Sequence, residues 1–332
     1  MTNILVTGGT GFIGIHLVKR LSDLGHKLKL IIRETSDISP FDGLKNIDYV
    51  YGDVRDIDSI NKAVDNVDLI YHLAAYTRMW SKDQSVFEEV NVKGAENVAK
   101  VAIEKSKRLI YVSSFIALGA TPVEPVDETH DTEEGILLDY GKTKYQAKKL
   151  IKEYIGKGLD VTMFYPGIVY GPGDFNIFGQ MIHDIAAKKF LGVPGKADKI
   201  GSFVYVNDVV NGLVNIIDRD DLSGEAFILG GENVVLNDWI NLIAEIIGVK
   251  KPRHFPMSMG LMYAGMHEAK TKLTKKMPYI NRGTVKMVNY NWSFSSKKAI
   301  DKLGYKITPL REGMTKTISW YQEYIEKEKN KN

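Results

Sequence analysis

The chain has 332 residues with 44% hydrophobic and 26% charged side chains, an ordinary globular balance, and its net charge of +3 gives no electrostatic reason to expect a nucleic-acid partner. Cysteine is absent, which excludes disulfides, thiolate nucleophiles and cysteine-ligated metals. No apolar run reaches the roughly 18 residues that a membrane span needs, and the start lacks a signal-peptide pattern, so we expect a cytoplasmic location.

Short apolar runs alternate with amphipathic stretches through the first half of the chain, which is the pattern of repeated β–α units. The strands predicted from these runs are Ile4–Val6, Leu28–Ile32, Ile47–Tyr51, Leu69–His72, Arg108–Val112 and Val161–Phe164. The clearest helices between them are Phe12–Leu24, Asn91–Ile103 and Tyr140–Ile155. This order predicts an α/β fold on a parallel sheet.

A glycine-rich segment, Thr7–Gly14, follows the first predicted strand and opens the first helix. Gly8 allows a tight turn, Gly11 lets the backbone approach a pyrophosphate, and Gly14 allows close helix packing. Glycines also serve ordinary turns, but the strand before this segment and the helix after it predict dinucleotide binding. The cofactor-binding residues predicted here are Gly8, Thr10, Gly11, Phe12, Ile13 and Gly14.

Position 33 bears on which dinucleotide binds. An acidic residue about 20 positions past the glycines would bind the ribose 2′-OH of NAD. The second strand instead ends at Arg33, which suits a 2′-phosphate, although an arginine at a strand end is often simply solvated. We therefore predict NADP as the preferred cofactor and NAD as the alternative.

Tyr140 and Lys144 are four residues apart on a predicted helix, so they share one face. A free tyrosine titrates near ~10, so its pKa must fall by about three units for general-base use at neutral pH. An ammonium roughly 4 Å away supplies about that much at an effective dielectric near ~20. The pair predicts an acid–base site; the alternative is a solvated face of neighbouring lysines.

Ser113 and Ser114 end the strand that precedes this helix, at the edge where ligands bind in open α/β sheets. A hydroxyl there would hold a substrate oxygen and orient the tyrosine. Because successive strand residues face opposite ways, only one of the two serines should reach the site. The residues alone leave that choice open.

The pattern changes after about residue 171. Turn signals at residues 171–173 and 193–195 interrupt the alternation, and helical periodicity returns at Trp239–Ile247 and Met314–Tyr324. Segments near residues 203–230 look like elements that rejoin the first domain. We predict a first domain over residues 1–170 with these returning elements, a second lobe over 171–325, and a flexible tail over 326–332.

Taken together, these segments resemble the extended short-chain dehydrogenases/reductases of the NAD-dependent epimerase/dehydratase type, over nearly the whole chain. The resemblance rests on residues 7–14, 52–54, 72–75, 91–94, 113–114, 140–144 and 166–173. Within that family, residues 75–80 and 292–299 resemble the dihydroflavonol 4-reductase-like branch, which includes bacterial hopanoid-associated sugar epimerases.

The resemblance implies a Rossmann fold, a doubly wound parallel sheet that binds the cofactor, with a smaller C-terminal α/β lobe for the substrate. It implies Ser114, Tyr140 and Lys144 as the catalytic residues, with Ser114 rather than Ser113 at the family's catalytic position, and with Tyr140 and Lys144 also contacting the cofactor. It also implies a homodimer formed through the helices that start near Asn91 and Tyr140.

Further cofactor contacts are implied in the same way. Asp53 and Val54 would contact the adenine, and Asn91 would brace the active-site strand. The residues expected along the ribose, phosphates and nicotinamide are Leu73, Ala74, Ala75, Tyr165, Pro166, Gly167, Ile168 and Val169. Tyr165 departs from many relatives, which have arginine there, so no contact relying on that charge is expected.

The histidines and methionines give weaker indications of function. The seven histidines have no metal-ligand spacing, so no metal site is predicted, and His72 is interpreted as a packed, hydrogen-bonded residue. Met259, Met262 and Met266 form a stripe at helical spacing. Core packing is the leading interpretation, and a substrate lid or a membrane-contacting surface is the alternative.

The function predicted is that of an oxidoreductase moving hydride between a nicotinamide and a carbonyl or alcohol carbon of a small molecule. A sugar-nucleotide epimerase or dehydratase would use the same residues without net redox change. A cofactor-sensing binding protein would have no need of the Tyr140–Lys144 pair. No nucleic-acid partner or membrane span is expected, whereas peripheral membrane contact is compatible with the sequence.

Overall fold

A seven-stranded parallel sheet organises the computed structural model, which describes residues 1–78, 80–274 and 280–330, except for the side chains of residues 272 and 273. The strands are β1 (Asn3–Thr7), β2 (Lys27–Ile32), β3 (Ile47–Tyr51), β4 (Leu69–His72), β5 (Arg108–Val112), β6 (Val161–Pro166), β7 (Ile168–Tyr170), β8 (Val193–Pro194), β9 (Ile200–Tyr205), β10 (Ala226–Leu229), β11 (Glu232–Val235) and β12 (His254–Phe255). The large sheet has the order β10-β6-β5-β4-β1-β2-β3, and all its pairs are parallel.

The helices flank this sheet and form most of the second lobe. They are α1 (Phe12–Asp23), α2 (Ile57–Ala63), α3 (Ser85–Glu88), α4 (Gly94–Glu104), α5 (Asp139–Ile155), α6 (Ile177–Ala186), α7 (Val206–Val214), α8 (Leu236–Ile247), α9 (Met257–Thr274), α10 (Arg282–Met287), α11 (Lys297–Leu303) and α12 (Leu310–Lys329). The predicted α/β fold class is confirmed.

Each of the six predicted strands is present, and three of them extend by one or two residues. Every residue of β4, β5 and β6 is buried, because helices cover both faces of the sheet. Strands buried on both faces are continuously apolar, and that is why these runs were visible without strict alternation.

Two helical predictions need correction. Asn91 lies in a π-helical turn, Glu89–Lys93, and α4 starts only at Gly94, because Asn91 turns its side chain inward to hydrogen-bond its neighbours. At the end of the chain α12 runs over Leu310–Lys329, longer at both ends than the predicted Met314–Tyr324, and its residues 326–329 are exposed. The flexible tail over residues 326–332 stays a prediction. Lys331 and Asn332 lie outside the described residues.

Apolar cores lie on both faces of the large sheet. One contains side chains of α2, α4 and α5, and the other contains side chains of α1, α7 and α11. Residues far along the chain complete this arrangement: β10 forms the edge strand beside β6, and α7 packs on α1.

The second lobe has its own core between α6, α8 and α12 and a three-stranded sheet of order β11-β9-β7. Phe203, predicted to return to the first domain, belongs to this smaller sheet. A short parallel pair, β8 with β12, lies at the base of α9. The division of the chain into two domains stays a prediction.

Candidate active site

The glycine turn lies at the carboxyl end of β1 and has little spare space. Gly8 has a φ of +74°, and a Cβ there would lie 2.5 Å from the backbone nitrogen of Ala74. A Cβ on Gly14 would overlap the carbonyl oxygen of Gly8. The turn therefore has to be made of glycine where it meets the segment after β4 and where α1 starts.

The N-terminus of α1 is open to an anion. Gly11 is its exposed N-cap, no side chain of the described residues caps the helix, and the first turn has no acidic residue. The first N–H groups of a helix and its dipole favour a phosphate at such a position. Thr10, Phe12 and Ile13 around it are partly exposed.

The segment after β4, Leu73–Ala75, runs along the glycine turn. The N–H of Leu73 donates to the carbonyl of Thr7 at 3.0 Å, and all three residues are partly exposed. Leu73, Ala74 and Ala75, which are expected to contact the ribose and phosphates, therefore lie beside the glycine turn that precedes α1. Met79, in the segment that carried the resemblance, lies outside the described residues.

At the far end of the sheet, Arg33 is exposed after β2 and Asp53 follows β3. Asp53 accepts hydrogen bonds from Nε and Nη2 of Arg55 at 3.0 and 2.9 Å. Burial alone would raise the pKa of Asp53, but Arg55, aided by Arg33, holds that pKa below its ordinary value. Val54 beside it is buried. A cavity of about 420 Å³ opens here, lined by Asp53, Arg55, Asp56, Glu89 and Lys93.

Asn91 ties the segment after β4 to helix α5. Its Oδ1 accepts from the N–H of Tyr76 at 2.6 Å, and its Nδ2 donates to the Tyr76 carbonyl at 3.2 Å and to Thr143 Oγ1 at 2.9 Å. Thr143 lies between Tyr140 and Lys144 on α5. Asn91 therefore braces both a predicted cofactor-lining segment and the helix that carries the acid–base pair.

Ser114 and Tyr140 meet at the carboxyl end of β5. Tyr140 is in the first turn of α5, and Ser114 is buried opposite it. Burial raises the pKa of Tyr140 above its ordinary value, and a hydrogen bond with Ser114 opposes that rise. Ser113 is also buried, and its hydroxyl approaches Tyr111 instead: a hydrogen bond with Ser113 opposes the rise that burial causes in the pKa of Tyr111. The contact with Tyr140 favours Ser114 over Ser113, and the catalytic role of Ser114 stays a prediction.

Lys144 lies beneath the same site. Its ammonium donates to the Val112 carbonyl at 3.1 Å and lies 5.4 Å above the centre of the Tyr111 ring. Burial lowers the pKa of Lys144 to about 7. Burial raises the pKa of Tyr111, and the nearby Tyr140 hydroxyl adds to that rise, so both α5 side chains approach this ring.

The prediction that Lys144 makes Tyr140 acidic is wrong for the protein by itself. The pKa of Tyr140 rises while that of Lys144 falls, because burial disfavours both the phenolate and the ammonium. Tyr140 therefore keeps its proton at neutral pH, and Lys144 is close to its titration midpoint. This protonation suits Tyr140 as a proton donor.

His72 and Tyr111 form the floor between the glycine turn and Lys144. Nδ1 of His72 is 2.7 Å from Thr7 Oγ1, and its ring stacks on Tyr111 at a 5.8 Å centroid distance. Burial and the charge of Lys144 lower the pKa of His72 to about 3, so it is neutral. The packed interpretation of His72 is confirmed. Tyr111, the ring that lies between His72 and Lys144, was not identified from the sequence. Tyr111 is two residues from Ser113, so both are on the same face of the strand.

The residues at the carboxyl end of β6 and just after it differ in burial. Gly167 is buried, and a Cβ there would lie 2.7 Å from the Ser202 carbonyl; Val169 is partly exposed, while Pro166 and Ile168 are buried. Tyr165 is 1% exposed, and its ring belongs to the core beneath α5. A cofactor contact by Tyr165 stays a prediction.

The methionine stripe lies outside this site. Met259, Met262 and Met266 are 50%, 61% and 62% exposed on α9, so their interpretation as core residues is wrong. Within the described residues no helix has the length and hydropathy that crossing a bilayer requires. That same part of the chain holds no cluster of three or more acidic or histidine side chains arranged for a metal.

Comparison with known proteins gives consistent results. The model of the NAD dependent epimerase/dehydratase family matches residues 4–230. Sterol demethylase protein B of Methylococcus capsulatus is 30% identical over 330 residues, covering 96% of this chain and 98% of its own length. A putative dihydroflavonol 4-reductase of Synechocystis is 26% identical, covering 96% and 94%. The crystal structure of gox2253 is 32% identical with a TM-score of 0.82, covering 98% and 99%.

Proposed function

The chain belongs to the NAD dependent epimerase/dehydratase family, and from this we propose that it transfers hydride between a nicotinamide dinucleotide and a carbonyl or alcohol carbon of a small molecule. The observation that carries the proposal is the meeting of Ser114, Tyr140 and Lys144 at the end of β5. The glycine turn lies at the same sheet edge, two strands away and joined to this site through His72.

The residues of the turn fit a dinucleotide. Gly8 and Gly14 leave no room for a Cβ, and the α1 N-terminus offers N–H groups without a competing acidic side chain. We propose that this turn holds the pyrophosphate and that Asp53 and Val54 face the adenine. The remaining proposed contacts are Thr10, Phe12, Ile13, Leu73, Ala74, Ala75, Asn91, Pro166, Gly167, Ile168 and Val169. The bound cofactor supplies the hydride.

We propose NADP as the preferred cofactor because Arg33 is exposed at the end of β2, where NAD-binding relatives of this fold type use an acidic residue. The family description names NAD, which is therefore the alternative. A homodimer, a cytoplasmic location and a substrate pocket formed mainly by residues 171–325 stay predictions.

In the direction of reduction, the phenol of Tyr140 donates its proton to the developing alkoxide, and Ser114 hydrogen-bonds the same oxygen. The raised pKa of Tyr140 keeps that proton available. The ammonium of Lys144, held by the Val112 carbonyl, then favours the phenolate that remains. Asn91 keeps α5 in register with the segment after β4.

Replacing Tyr140 with phenylalanine tests this mechanism. Loss of the proton donor should lower kcat by about 10²- to 10⁴-fold on any carbonyl substrate that the wild type reduces. The affinity for NADPH, measured by fluorescence titration, should stay within about two-fold, since the ring remains. Unchanged turnover by the variant would remove the mechanism.

A sugar-nucleotide epimerase remains the second candidate, because the family description includes epimerases and the same side chains serve both reactions. The two differ in how the cofactor behaves. An epimerase regenerates its cofactor on the enzyme, so the purified protein should retain NAD, whereas a reductase exchanges cofactor with each turnover. Mass spectrometry of the nucleotide released on denaturation separates the two.

A further inference from the structure

Helix α9 presents its apolar residues to solvent rather than to the core. Met259, Met262 and Met266 are spaced by three and four residues, so they share one face, and each is at least half exposed. Among the side chains of this helix that the structure describes, the buried ones are a different set with a similar spacing: Gly260, Ala264 and Thr271. The helix therefore packs through small side chains and leaves its large flexible ones uncovered.

The stretch of sequence that contains this helix is strongly basic. Residues 250–276 contain seven Lys or Arg and a single acidic residue, Glu268, a net charge of +6. Since the whole chain carries +3, the other 305 residues are net negative at −3. Lys250, Lys251 and Arg253, just before α9, and Lys270, one turn beyond Met266, are all exposed.

A further apolar side chain lies beside the start of α9. Leu191 is 74% exposed in the loop before β8. The N–H of Val193 in β8 donates to the Arg253 carbonyl at 2.9 Å, and a Cβ on Gly260 would lie 2.6 Å from the ring of Pro194. These contacts join the Leu191 loop, the basic residues and the methionine helix in one surface.

The opposite side of α9 is connected to the catalytic helix. Glu268 accepts from the N–H of Arg282 in α10 at 2.7 Å. In the same short helix, a Cβ on Gly283 would lie 2.6 Å from Leu138, the residue that caps α5 two positions before Tyr140. Helices α9 and α10 therefore lie next to the start of α5, which carries Tyr140. The exposed methionines are on the solvent side of α9.

We propose that the α9 surface, made of Met259, Met262 and Met266 with Lys250, Lys251, Arg253 and Lys270, docks on an anionic phospholipid bilayer. Docking presents the active site to an apolar carbonyl compound held in the membrane. Interfacial helices combine an apolar face with basic residues in this way, and methionine adapts to irregular apolar surroundings. The docking stands on this surface alone, whereas the substrate class rests on the proposed function.

Charge decides between the bilayer and a second copy of the chain. Two copies meeting through this face would bring two sets of the exposed Lys250, Lys251, Arg253 and Lys270 together, which is repulsive, whereas anionic headgroups attract these side chains. A bilayer also accepts a convex helix without a matching groove. The surface therefore fits a lipid headgroup layer better than a copy of itself.

Vesicle flotation tests the docking. The wild type should float with phosphatidylcholine/phosphatidylglycerol vesicles and much less with phosphatidylcholine alone. The triple variant Met259→Ser, Met262→Ser, Met266→Ser should bind the anionic vesicles about ten-fold or more weakly, because three partly inserted side chains are lost. The variant Lys250→Glu, Lys251→Glu, Arg253→Glu should lose a similar factor, mainly at low salt.

The matched control replaces exposed apolar residues elsewhere, Leu24→Ser, Val123→Ser and Ile300→Ser, and should float like the wild type. All variants should keep the wild-type thermal midpoint and NADPH affinity. Equal flotation of the methionine variant and the wild type would overturn the proposal. So would a concentration-dependent dimer, measured by light scattering, that the methionine variant abolishes.

The substrate class is tested with a steroid ketone offered in phosphatidylglycerol vesicles or in neutral detergent micelles. The methionine variant should lose about ten-fold in rate with vesicles and little with micelles. Equal rates for variant and wild type in vesicles would overturn delivery from the membrane. If the wild type reduces the ketone in neither form while flotation is as expected, the substrate class is wrong and the docking stands.

Discussion

At the residue scale, burial changes the pKa values of the titratable side chains in the site. Tyr140, Lys144 and His72 all lie where water is largely excluded, and each is shifted toward its neutral form. Spacing on a helix correctly indicated that Tyr140 and Lys144 share a face, but spacing carries no information about desolvation. The direction of their pKa shifts therefore had to come from the folded site.

Lys144 should make stability depend on pH in a specific window. Its pKa is about 7 when folded and 10.5 as the reference value, so between these values the unfolded chain holds a proton that the folded chain lacks. The free energy of unfolding contributed by this group therefore rises with pH from about 7 to 10.5. Below pH 7 both states are charged, and the cost of burying the ammonium is present in full.

Lys144→Met should accordingly be more stable than the wild type at pH 7 by up to a few kcal/mol, and the difference should shrink toward pH 10. Urea unfolding of both proteins at pH 7, 8.5 and 10 measures this. Lys152→Met, on an exposed lysine of the same helix, serves as the control and should show no such trend. A difference that is constant with pH would contradict the assigned shift.

Arg33 gives the second prediction at this scale. If it binds a 2′-phosphate, Arg33→Ala should weaken NADPH binding by about 10- to 100-fold and leave NADH binding nearly unchanged. Arg20→Ala, on the exposed side of α1, is the matched control. Calorimetric titration with both cofactors measures the effect, and an equal loss for NADPH and NADH would show that Arg33 is merely a solvated strand end.

At the element scale, the turn between β1 and α1 requires glycine for two different reasons, close packing and access for a ligand. Gly14 is buried and has the Gly8 carbonyl where a Cβ would be, whereas Gly11 is exposed, with the nearest atom 3.3 Å from an added Cβ. The first is a packing requirement and the second concerns access of a ligand. A glycine motif in a sequence does not distinguish them.

Gly14→Ala should therefore lower both the thermal midpoint and cofactor affinity, because α1 has to shift away from the turn. Gly11→Ala should change the thermal midpoint by only a few degrees, since a surface substitution costs little, and should still weaken cofactor binding about ten-fold or more. Thermal unfolding and NADPH titration of both variants test this. Normal cofactor binding by Gly11→Ala would show that no phosphate approaches that backbone.

At the scale of the whole molecule, the first domain is not complete in its own stretch of sequence. The core against α1 contains Val209 and Leu213 of α7, Leu229 of β10, and Leu303 after them. The hydroxyl of Tyr71 in β4 donates to the Leu213 carbonyl at 2.6 Å. These contacts join segments that are more than 100 residues apart.

A fragment of residues 1–170 should consequently fail to unfold cooperatively in urea, because one face of the sheet and the edge beside β6 would be uncovered. Removing only residues 326–332 should leave the wild-type transition, since the end of α12 is exposed. Circular dichroism of both fragments measures this. A cooperative transition for 1–170 would show that the first domain is self-sufficient.

The amino-acid sequence by itself determined the positions of the strands along the first half of the chain, the glycine turn and the helix that carries Tyr140 and Lys144, because these follow from local pattern and spacing. The series of motifs also indicated the family. Only the tertiary structure decided which serine faces Tyr140, that Tyr165 is core, that Asn91 bridges two segments, and that the α9 methionines are exposed. Each of these depends on which side of an element is covered by residues distant in the chain, and periodicity shows that an element has two faces without showing what covers either.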